Sequence, residues 1–394
     1  MDILYESCAG IDIHQAMIAV CVLHGPLTTT RPKREERRFD TTTVGLTACR
    51  DFLLSLKVQA KVQAVGMEST GVYWKPVWHA LVNDFELILA NSAHMKSIKG
   101  QKTDKKDAHW IAKLTRTGFL PKSFVPDETI QELRELTRQR KHQVETRNRE
   151  VNRIHNTLQS GGIKLTTYIE DIMGASGRNL MNLLVNGEVI MPTIIKENVY
   201  TSLKKKVPQL QLALDGYFLE HHRFMLEQSL DIYDFYTQQI EVLEKRIDIY
   251  LNQYGRQLDI LDSIPGIDKV TASVFIAEVG IDMEQFPTPG HLTSWAGLCP
   301  GNNESAGKKR SSKTRHGNAY LKKCLCQAVY AARRQKNSPI ALRFYQLQAR
   351  RGPQKATIAI AHYLLKLAYF LIGNNLTDTD YCQQKKIVRD ELTI

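Results

Sequence analysis

Four acidic residues in the first third of the chain have the types and positions that could hold a divalent metal ion. Asp12 lies inside an apolar stretch, where an unpaired charge is costly, and Glu68 ends a second apolar stretch. Asp104 and Asp107 are three residues apart at a predicted helix start, so they share one helix face. Singly, each could be a helix cap or a solvent-facing residue. Together they predict an oxygen-ligand site for Mg²⁺ or Mn²⁺ that could act on a phosphodiester.

A serine in a strongly basic segment near the C-terminus is the second chemical signal. Residues 301–356 contain fourteen Lys or Arg against one acid, Glu304, which is typical of a nucleic-acid surface. A serine that attacks phosphorus needs such positive charge beside it, and Ser305 is followed closely by Gly307, which allows close backbone approach. On composition alone, Ser305 could equally be a loop residue that contacts the DNA backbone. The predicted nucleic-acid-binding residues are Lys308, Lys309, Arg310, Lys313, Arg315, Lys322 and Lys323.

The overall composition agrees with a nucleic-acid partner. The 394 residues carry a net charge of +12, and a chain this basic is attracted to polyanions. Seven cysteines without a CxxC pair suit a reducing cytosol. There is no signal-peptide pattern and no run of about 18 apolar residues. We therefore expect an intracellular, soluble protein that has no membrane partner.

The elements around the four acids predict a mixed α/β sheet domain over residues 1–120. Apolar stretches that alternate with helical patterns are typical of such a domain. The predicted strands cover 8–23, 62–67 and 87–90, with a polar stretch over 31–38, and the predicted helices cover 46–56, 70–81 and a segment that starts near 103.

A long helical region is predicted over residues 121–256. Seven-residue spacing of apolar side chains runs from Ile130 to Leu158 and again from Leu219 to Tyr250, with a small insert of short helices at 161–215. The two long helices could pack as an antiparallel pair or mediate dimerisation, and the sequence leaves both open. The interleaved Arg and Glu residues of the first helix fit a solvated face as well as a nucleic-acid contact.

Residues 257–375 predict a mainly α-helical domain, followed by a polar tail over 376–394. The segment from Ser263 to Thr271 resembles the hairpin of helix-hairpin-helix DNA-binding motifs, in which backbone amides approach a phosphate. Asp268 stands where the second glycine is usual. Phosphate binding and a plain helix–helix turn therefore remain alternatives.

Short motifs at both ends of the chain resemble one family. GID at 10–12, MESTG at 67–71 and KTDKKDA at 102–108 resemble the RuvC-like, ribonuclease-H-type domain of DEDD insertion-sequence transposases. GLCPG at 297–301 and KTRHGN at 313–318 resemble the serine-bearing C-terminal domain of the same transposases. The family's acidic quartet falls on Asp12, Glu68, Asp104 and Asp107, and its nucleophile on Ser305. Ala306 stands where glycine is common, and lysine stands at 322 and 323 where arginine is frequent.

The resemblance implies a transposase or DNA recombinase that forms a covalent 5′-phosphoserine intermediate. It further implies a metal-binding acidic site, donor and target DNA as substrates, and a non-coding bridge RNA as guide. It implies homodimers that assemble into a homotetramer, in which one protomer's acids act with another's serine, in a bacterial or archaeal, nucleoid-associated cytoplasmic protein. Two alternatives remain: a RuvC-type metal-dependent, structure-specific DNA endonuclease that uses water as nucleophile, and a non-catalytic nucleic-acid-binding scaffold.

Overall fold

The computed structural model describes residues 3–60, 62–68, 71–90, 107–301, 303–305, 308–311, 313–335 and 338–383, with the backbone alone at 57–60, 303–305 and 308–311. Contacts divide the chain into two compact units, Met1–Val125 and Pro126–Ile394. The first unit is α/β and the second is mostly helical, as the sequence predicts.

A five-stranded mixed sheet forms the centre of the first unit. Its order is β3-β2-β1-β4-β5. The first three strands are antiparallel, whereas β1, β4 and β5 run parallel. The strands are β1 (Ser7–Ile13), β2 (Met17–His24), β3 (Lys33–Asp40), β4 (Ala64–Glu68) and β5 (Glu86–Ala90).

Two predictions for this sheet are wrong. Residues 8–23 are not one strand but two, because the chain reverses after Ile13 and the His14 amide donates to the Met17 carbonyl at 2.9 Å. The polar stretch over 31–38 lies largely within β3, which pairs only with β2. An edge strand can carry charged side chains on both faces, so β3 lacks the apolar pattern by which a strand is predicted.

In the described part of the first unit, three helices cover the two faces of the sheet. The helices are α1 (Thr43–Ala60), α2 (Trp74–Leu81) and α3 (Asp107–Arg116). Helices α1 and α2 pack with Ile11 and Val65 in one core. Helix α3 lies on the other face, where Ile111 and Leu114 join a separate cluster with Ala64. The predicted helix over 70–81 begins later, at Trp74.

Two glycines allow α3 to lie directly against the sheet. A Cβ added at Gly10 would be 2.2 Å from the Ala112 nitrogen and 2.3 Å from the Ala108 oxygen. A Cβ added at Gly66 would be 2.0 Å from the Thr115 hydroxyl oxygen. Since non-bonded heavy atoms cannot approach so closely, α3 keeps its position only while both strands lack side chains here.

The second unit begins with two long antiparallel helices, α4 (Glu128–Ser160) and α8 (Glu220–Leu251). Their direction follows from their contacts, because Arg140 pairs with Glu244 whereas Arg147 contacts Thr237. Of the two arrangements that the sequence leaves open, the structure shows an intrachain pair.

The insert between α4 and α8, predicted as short helices, contains α5 (Ala175–Asn186), α6 (Pro192–Asn198) and α7 (Val207–Leu214), with 3₁₀ turns at Leu165–Thr167 and Thr201–Lys206.

The C-terminal part is an assembly of helices around one apolar helix. These helices are α9 (Gly255–Asp262), α10 (Lys269–Val279), α11 (Pro289–Trp295), α12 (Ala319–Ala332), α13 (Pro339–Arg351) and α14 (Pro353–Gly373), and a 3₁₀ turn at Asn252–Tyr254 precedes them.

Helix α14 is, against expectation, long and apolar enough to cross a membrane by length and composition. Its apolar character has a simpler origin, because Ile360, Leu364 and Leu371 are fully buried. The helix packs against α9, α11, α12 and α13. We therefore interpret α14 as the central core helix of this unit.

The first part of the predicted polar tail is folded onto this unit. Residues 378–383 are helical, and the Asp378 amide donates to the Ser263 hydroxyl at 2.8 Å. The rings of Tyr381 and Phe370 lie 5.0 Å apart. Residues 384–394 lie outside the described residues.

We expect Gly10→Ala to destabilise the first unit by about 2 kcal/mol or more, because the added methyl group must push α3 off the sheet. Urea unfolding measured by circular dichroism checks this. The control is Gly255→Ala, at a helical position where an added Cβ meets nothing within 4 Å. It is expected to be neutral or slightly stabilising. Equal midpoints for the two variants would contradict the close approach.

Candidate active site

Asp12 and Glu68 lie side by side at the carboxyl ends of two parallel strands. Ile11 of β1 pairs with Met67 of β4, so the next residue of each strand takes the neighbouring position. Side chains alternate along a strand, which puts Asp12 on the same face as Gly10, and Glu68 on the same face as Gly66. That face is the one that α3 covers.

Asp107 is the first residue of α3 and lies at the same end of the sheet. Helix α3 runs antiparallel to β1: Ala108 lies over Gly10, whereas the Arg116 carbonyl accepts a hydrogen bond from the Leu4 amide at 2.8 Å. The helix N-terminus is therefore at the carboxyl end of β1. The structure brings three of the four predicted acids to one face and one end of the sheet, while Asp104 lies outside the described residues.

The three carboxylates are of the kind that a hard cation requires. They offer only oxygen, and the two glycines beneath α3 hold the helix start near the strand ends. Within the described part of the chain, no three His, Cys, Asp or Glu side chains lie close enough together to hold a metal ion. The donor chemistry fits such an ion, and Asp104 would have to complete the set.

His14 is a site residue that sequence reasoning missed. Its Nε2 atom lies 3.1 Å from Asp12 Oδ2, and the Asp12 side chain is only 17% exposed. The two residues are two positions apart at the end of β1, so the alternation of a strand could have placed them on one side. His14 can therefore orient the Asp12 carboxylate from the solvent side.

Ser305 lies at the end of a strand in a β-hairpin that the sequence did not predict. Strand β6 (Asn303–Ser305) pairs antiparallel with β7 (Lys308–Ser311), and Ser305 is the partner of Lys308. Two residues, Ala306 and Gly307 in the sequence, connect the strands. A two-residue connection containing glycine is typical of tight hairpins, and this signal was available. The hairpin places Ser305 beside its tip, with Lys308, Lys309 and Arg310 on the returning strand.

The motif residues on either side of the hairpin hold its base. The Gly301 amide donates to the Lys313 carbonyl at 2.8 Å. A Cβ added at Gly317 would be 2.3 Å from the Gly297 nitrogen, so the two chain segments touch through their backbones. The motif glycines Gly297, Gly301 and Gly317 therefore allow the chain segments before and after the hairpin to pack against each other.

A buried carboxylate, Glu278 at the end of α10, ties the hairpin's exit to the long helix α4. Its side chain is 0% exposed and accepts two hydrogen bonds from Arg138, at 2.7 and 2.8 Å. Asn318 donates to the same carboxylate at 2.6 Å, and its own side-chain oxygen caps α12 at the Leu321 amide. Sequence analysis missed Glu278, whose one signal was a charge within an apolar helix.

Arg134 completes this junction from the next turn of α4. It donates to the carbonyls of Ala277 and Glu278, both at 2.9 Å. Burial lowers the pKa of Arg134 to about 10, although the Glu278 charge acts to raise it. Three elements, α4, α10 and the start of α12, thus share one ionic cluster, the Glu278 junction, which consists of Arg134, Arg138, Glu278 and Asn318.

The remaining predicted nucleic-acid-binding residues flank the hairpin and follow it. Lys313 and Arg315 are exposed. On the first turn of α12, Lys322 donates to the Thr314 hydroxyl at 2.6 Å, and Lys323 is 65% exposed with its ammonium 3.7 Å from Glu145. Lys313 and Arg315, with Lys322 and Lys323 on α12, therefore place positive charge soon after the hairpin that carries Ser305.

The helix-hairpin-helix-like turn packs against α12 on one side and is exposed at residues 268–270. Gly266 has a φ of +89°, and a Cβ there would be 2.5 Å from the Ala328 carbonyl oxygen of α12. Asp268 caps α10, accepting from the Thr271 amide at 2.8 Å. These contacts account for both residues as parts of a helix–helix turn, and phosphate binding at the turn stays a prediction.

Comparisons with known proteins agree with the motifs. Residues 9–162 match a family model for DEDD transposases of the IS110 type, described as "Transposase". Residues 258–346 match a second model, "Transposase IS116/IS110/IS902 family". A Streptomyces coelicolor protein, "Insertion element IS110 uncharacterized 43.6 kDa protein", is 32% identical over 116 residues, which are 29% of this chain. The match spans 28% of that relative's length.

We expect Glu278→Gln to destabilise the second unit by roughly 3–5 kcal/mol, because Arg134, whose side chain is 17% exposed, and Arg138 would both lose a fully buried counter-charge. The control, Glu244→Gln, breaks a pair with Arg140 in which Glu244 is 43% exposed. It should cost about 1 kcal/mol or less. Denaturant unfolding of both variants checks this, and similar losses would contradict the special role of Glu278.

Proposed function

Because the chain belongs to the IS116/IS110/IS902 family of transposases, we propose that it is a DNA recombinase that cuts and rejoins strands through Ser305. The first unit would be the RuvC-like, ribonuclease-H-type domain. The observation that supports this most strongly is the convergence of Asp12, Glu68 and Asp107 at one end and face of the sheet. The same chain carries a serine at the tip of a basic hairpin.

Ser305 would act as the nucleophile. Its oxygen attacks the phosphorus and forms a 5′-phosphoserine bond, while the bond from phosphorus to the 3′-oxygen breaks. The proton that the serine loses is balanced by the proton that the leaving 3′-oxygen gains. Since one phosphoester replaces another, the strands can be rejoined by the reverse reaction without an external energy source. Lys308, Lys309, Arg310, Lys313 and Arg315 would neutralise the phosphate.

The acidic set would position the same phosphate. Asp12, Glu68, Asp104 and Asp107 would hold Mg²⁺ or Mn²⁺, which when bound supplies charge neutralisation at the phosphate oxygens. His14 would keep the Asp12 carboxylate in one orientation, from its observed distance of 3.1 Å. A carboxylate held in this way presents a fixed oxygen to the cation and loses less freedom on binding.

The partners follow from the family. We expect donor and target DNA as substrates, a non-coding bridge RNA as guide, and homodimers that assemble into a homotetramer in the bacterial or archaeal cytoplasm. The acids and the serine lie in different compact units, which suits a site that one protomer's acids and another's serine share. With an RNA guide, base pairing rather than side chains would select the DNA sequence.

We expect Ser305→Ala to abolish covalent protein–DNA adducts on a denaturing gel, with a loss on the order of 10³-fold or more, because no other group replaces the nucleophile. Ser311→Ala, in the same hairpin, is the matched control and should retain adduct formation. If Ser305→Ala still forms the adduct, the assignment of the nucleophile is wrong. Free 5′-phosphate ends with no adduct in the wild type would instead support the water-using endonuclease.

We expect Asp12→Asn to lower strand cleavage by at least about 100-fold while DNA binding persists, because the neutral amide binds a hard cation weakly. Asp51→Asn, at an exposed position of α1, removes the same charge and should cleave normally. Cleavage measured against Mn²⁺ concentration, together with binding by gel shift, checks this. Equal cleavage by both variants would contradict a metal site at Asp12.

A further inference from the structure

A cleft of about 400 Å³ lies between four helices of the second unit. None of its lining residues belongs to the acidic set or to the hairpin, although α12, which forms one wall, starts soon after the hairpin. Its volume is in the range of small-molecule sites. The helices α4, α8, α10 and α12 contribute the lining residues, which include Val144, Ile247, Val274, Tyr320 and Cys324.

The cleft combines an apolar lining with one aromatic ring that two cations approach. Val144, Ile247 and Val274 line it from three different helices. The Arg138 guanidinium carbon and the Lys141 ammonium each lie 4.5 Å from the centre of the Tyr320 ring. Such a lining suits a flat, partly apolar group better than a fully polar one.

The acidic residues of the lining are already paired with cations. Glu278 is bound by Arg138, and Asp248 lies 2.7 Å from Lys269. The two remaining acids, Glu244 and Glu145, pair with Arg140 and Lys323. Each carboxylate of the lining therefore has a cation beside it.

Lys141 differs from the other lining cations. Among the described residues, no carboxylate lies within 4.0 Å of its ammonium. Burial lowers the pKa of Lys141 and the positive charge of Lys323 lowers it further, whereas the charges of Glu145 and Glu278 act to raise it. Lys141 and Lys323 thus line the same part of the cleft as Glu145, and a phosphate there would take the place of this half-exposed carboxylate beside the two cations.

We propose that this cleft binds one unpaired nucleotide, with its base beside Tyr320 and its phosphate at Lys141 and Lys323. The inference rests on the proposed function, since it requires a nucleic-acid substrate. In a nucleotide, one sugar separates the aromatic base from the phosphate. The base matches the apolar lining of the cleft, and the phosphate matches the side with Lys141 and Lys323. A base in a duplex is stacked and paired, so only an unpaired nucleotide can enter.

The position of the cleft gives this nucleotide a place in the reaction. Tyr320 and Lys323 lie on the first turns of α12, within twenty residues of Ser305. Strand exchange requires that bases leave one duplex before they join another. The cleft would hold a base during that interval and keep it from pairing again.

The test compares two fluorescein-labelled DNA probes, a fully paired duplex and the same duplex with a short single-stranded bulge, bound to the full-length protein. Wild type should prefer the bulged probe. We expect Lys141→Met to weaken binding of the bulged probe about tenfold and of the paired duplex less than twofold. The control, Lys245→Met, removes the same charge at an exposed position of α8 outside the cleft, and should behave as wild type.

A second variant tests the cleft without a change of charge. Val274→Phe fills the cleft and should cause the same selective loss of binding to the bulged probe, whereas Val242→Phe, at a 59% exposed position of α8, should not.

Equal losses of binding on both probes, or no difference between Lys141→Met and Lys245→Met, would overturn the proposal. A change in self-association with unchanged DNA binding would instead assign the cleft to an acidic side chain of a second copy. If wild type binds neither probe, the proposed function fails as well; if it binds both alike, only this inference fails.

Discussion

The arrangement of the second unit depends on one buried carboxylate. Glu278 lies fully buried at the end of α10, where it pairs with the largely buried Arg134 and the partly exposed Arg138 of α4. Desolvated charges of one sign are unstable alone, so the ion pair ties the two helices at a definite register. Through Asn318 the same carboxylate also holds the start of α12, immediately after the hairpin that carries Ser305. The position of the proposed nucleophile is therefore determined by a contact that takes no part in chemistry.

In the first unit the acidic residues are positioned by backbone contacts and not by ion pairs. The register of β1 and β4 places Asp12 next to Glu68, and the missing side chains at Gly10 and Gly66 let α3 lie against both strands. Asp107 then begins the helix at the same end of the sheet. The two units thus differ in what holds them: steric fit in one, buried charge in the other.

Patterns that are local in the sequence were sufficient for much of this fold. The long helices α4 and α8 were predicted from their seven-residue spacing, and the end of α4 follows from Gly161. Strand β3 was missed because an edge strand needs no apolar face, and the β6–β7 hairpin was missed because its strands are short and basic.

Of the site residues, Asp12 and Glu68 could be predicted because each is a charged residue within an apolar strand. Glu278 could not, since its partners are about 140 residues away in the chain and a single acid in a helix has many ordinary explanations.

The folded segment after α14 has a consequence for how the protein is made. Arg256 bonds to Asn375, and Ser263 to Asp378, over separations of 119 and 115 residues. The core helix α14 lies between these partners in the sequence and supplies the apolar surface on which α9, α11, α12 and α13 pack. During synthesis these four helices emerge before that surface, so the unit cannot close until α14 has left the ribosome. A product that stops short of α14 would expose the apolar faces of several helices at once, and it would be a substrate for chaperones and proteases rather than a competing inactive copy of the protein.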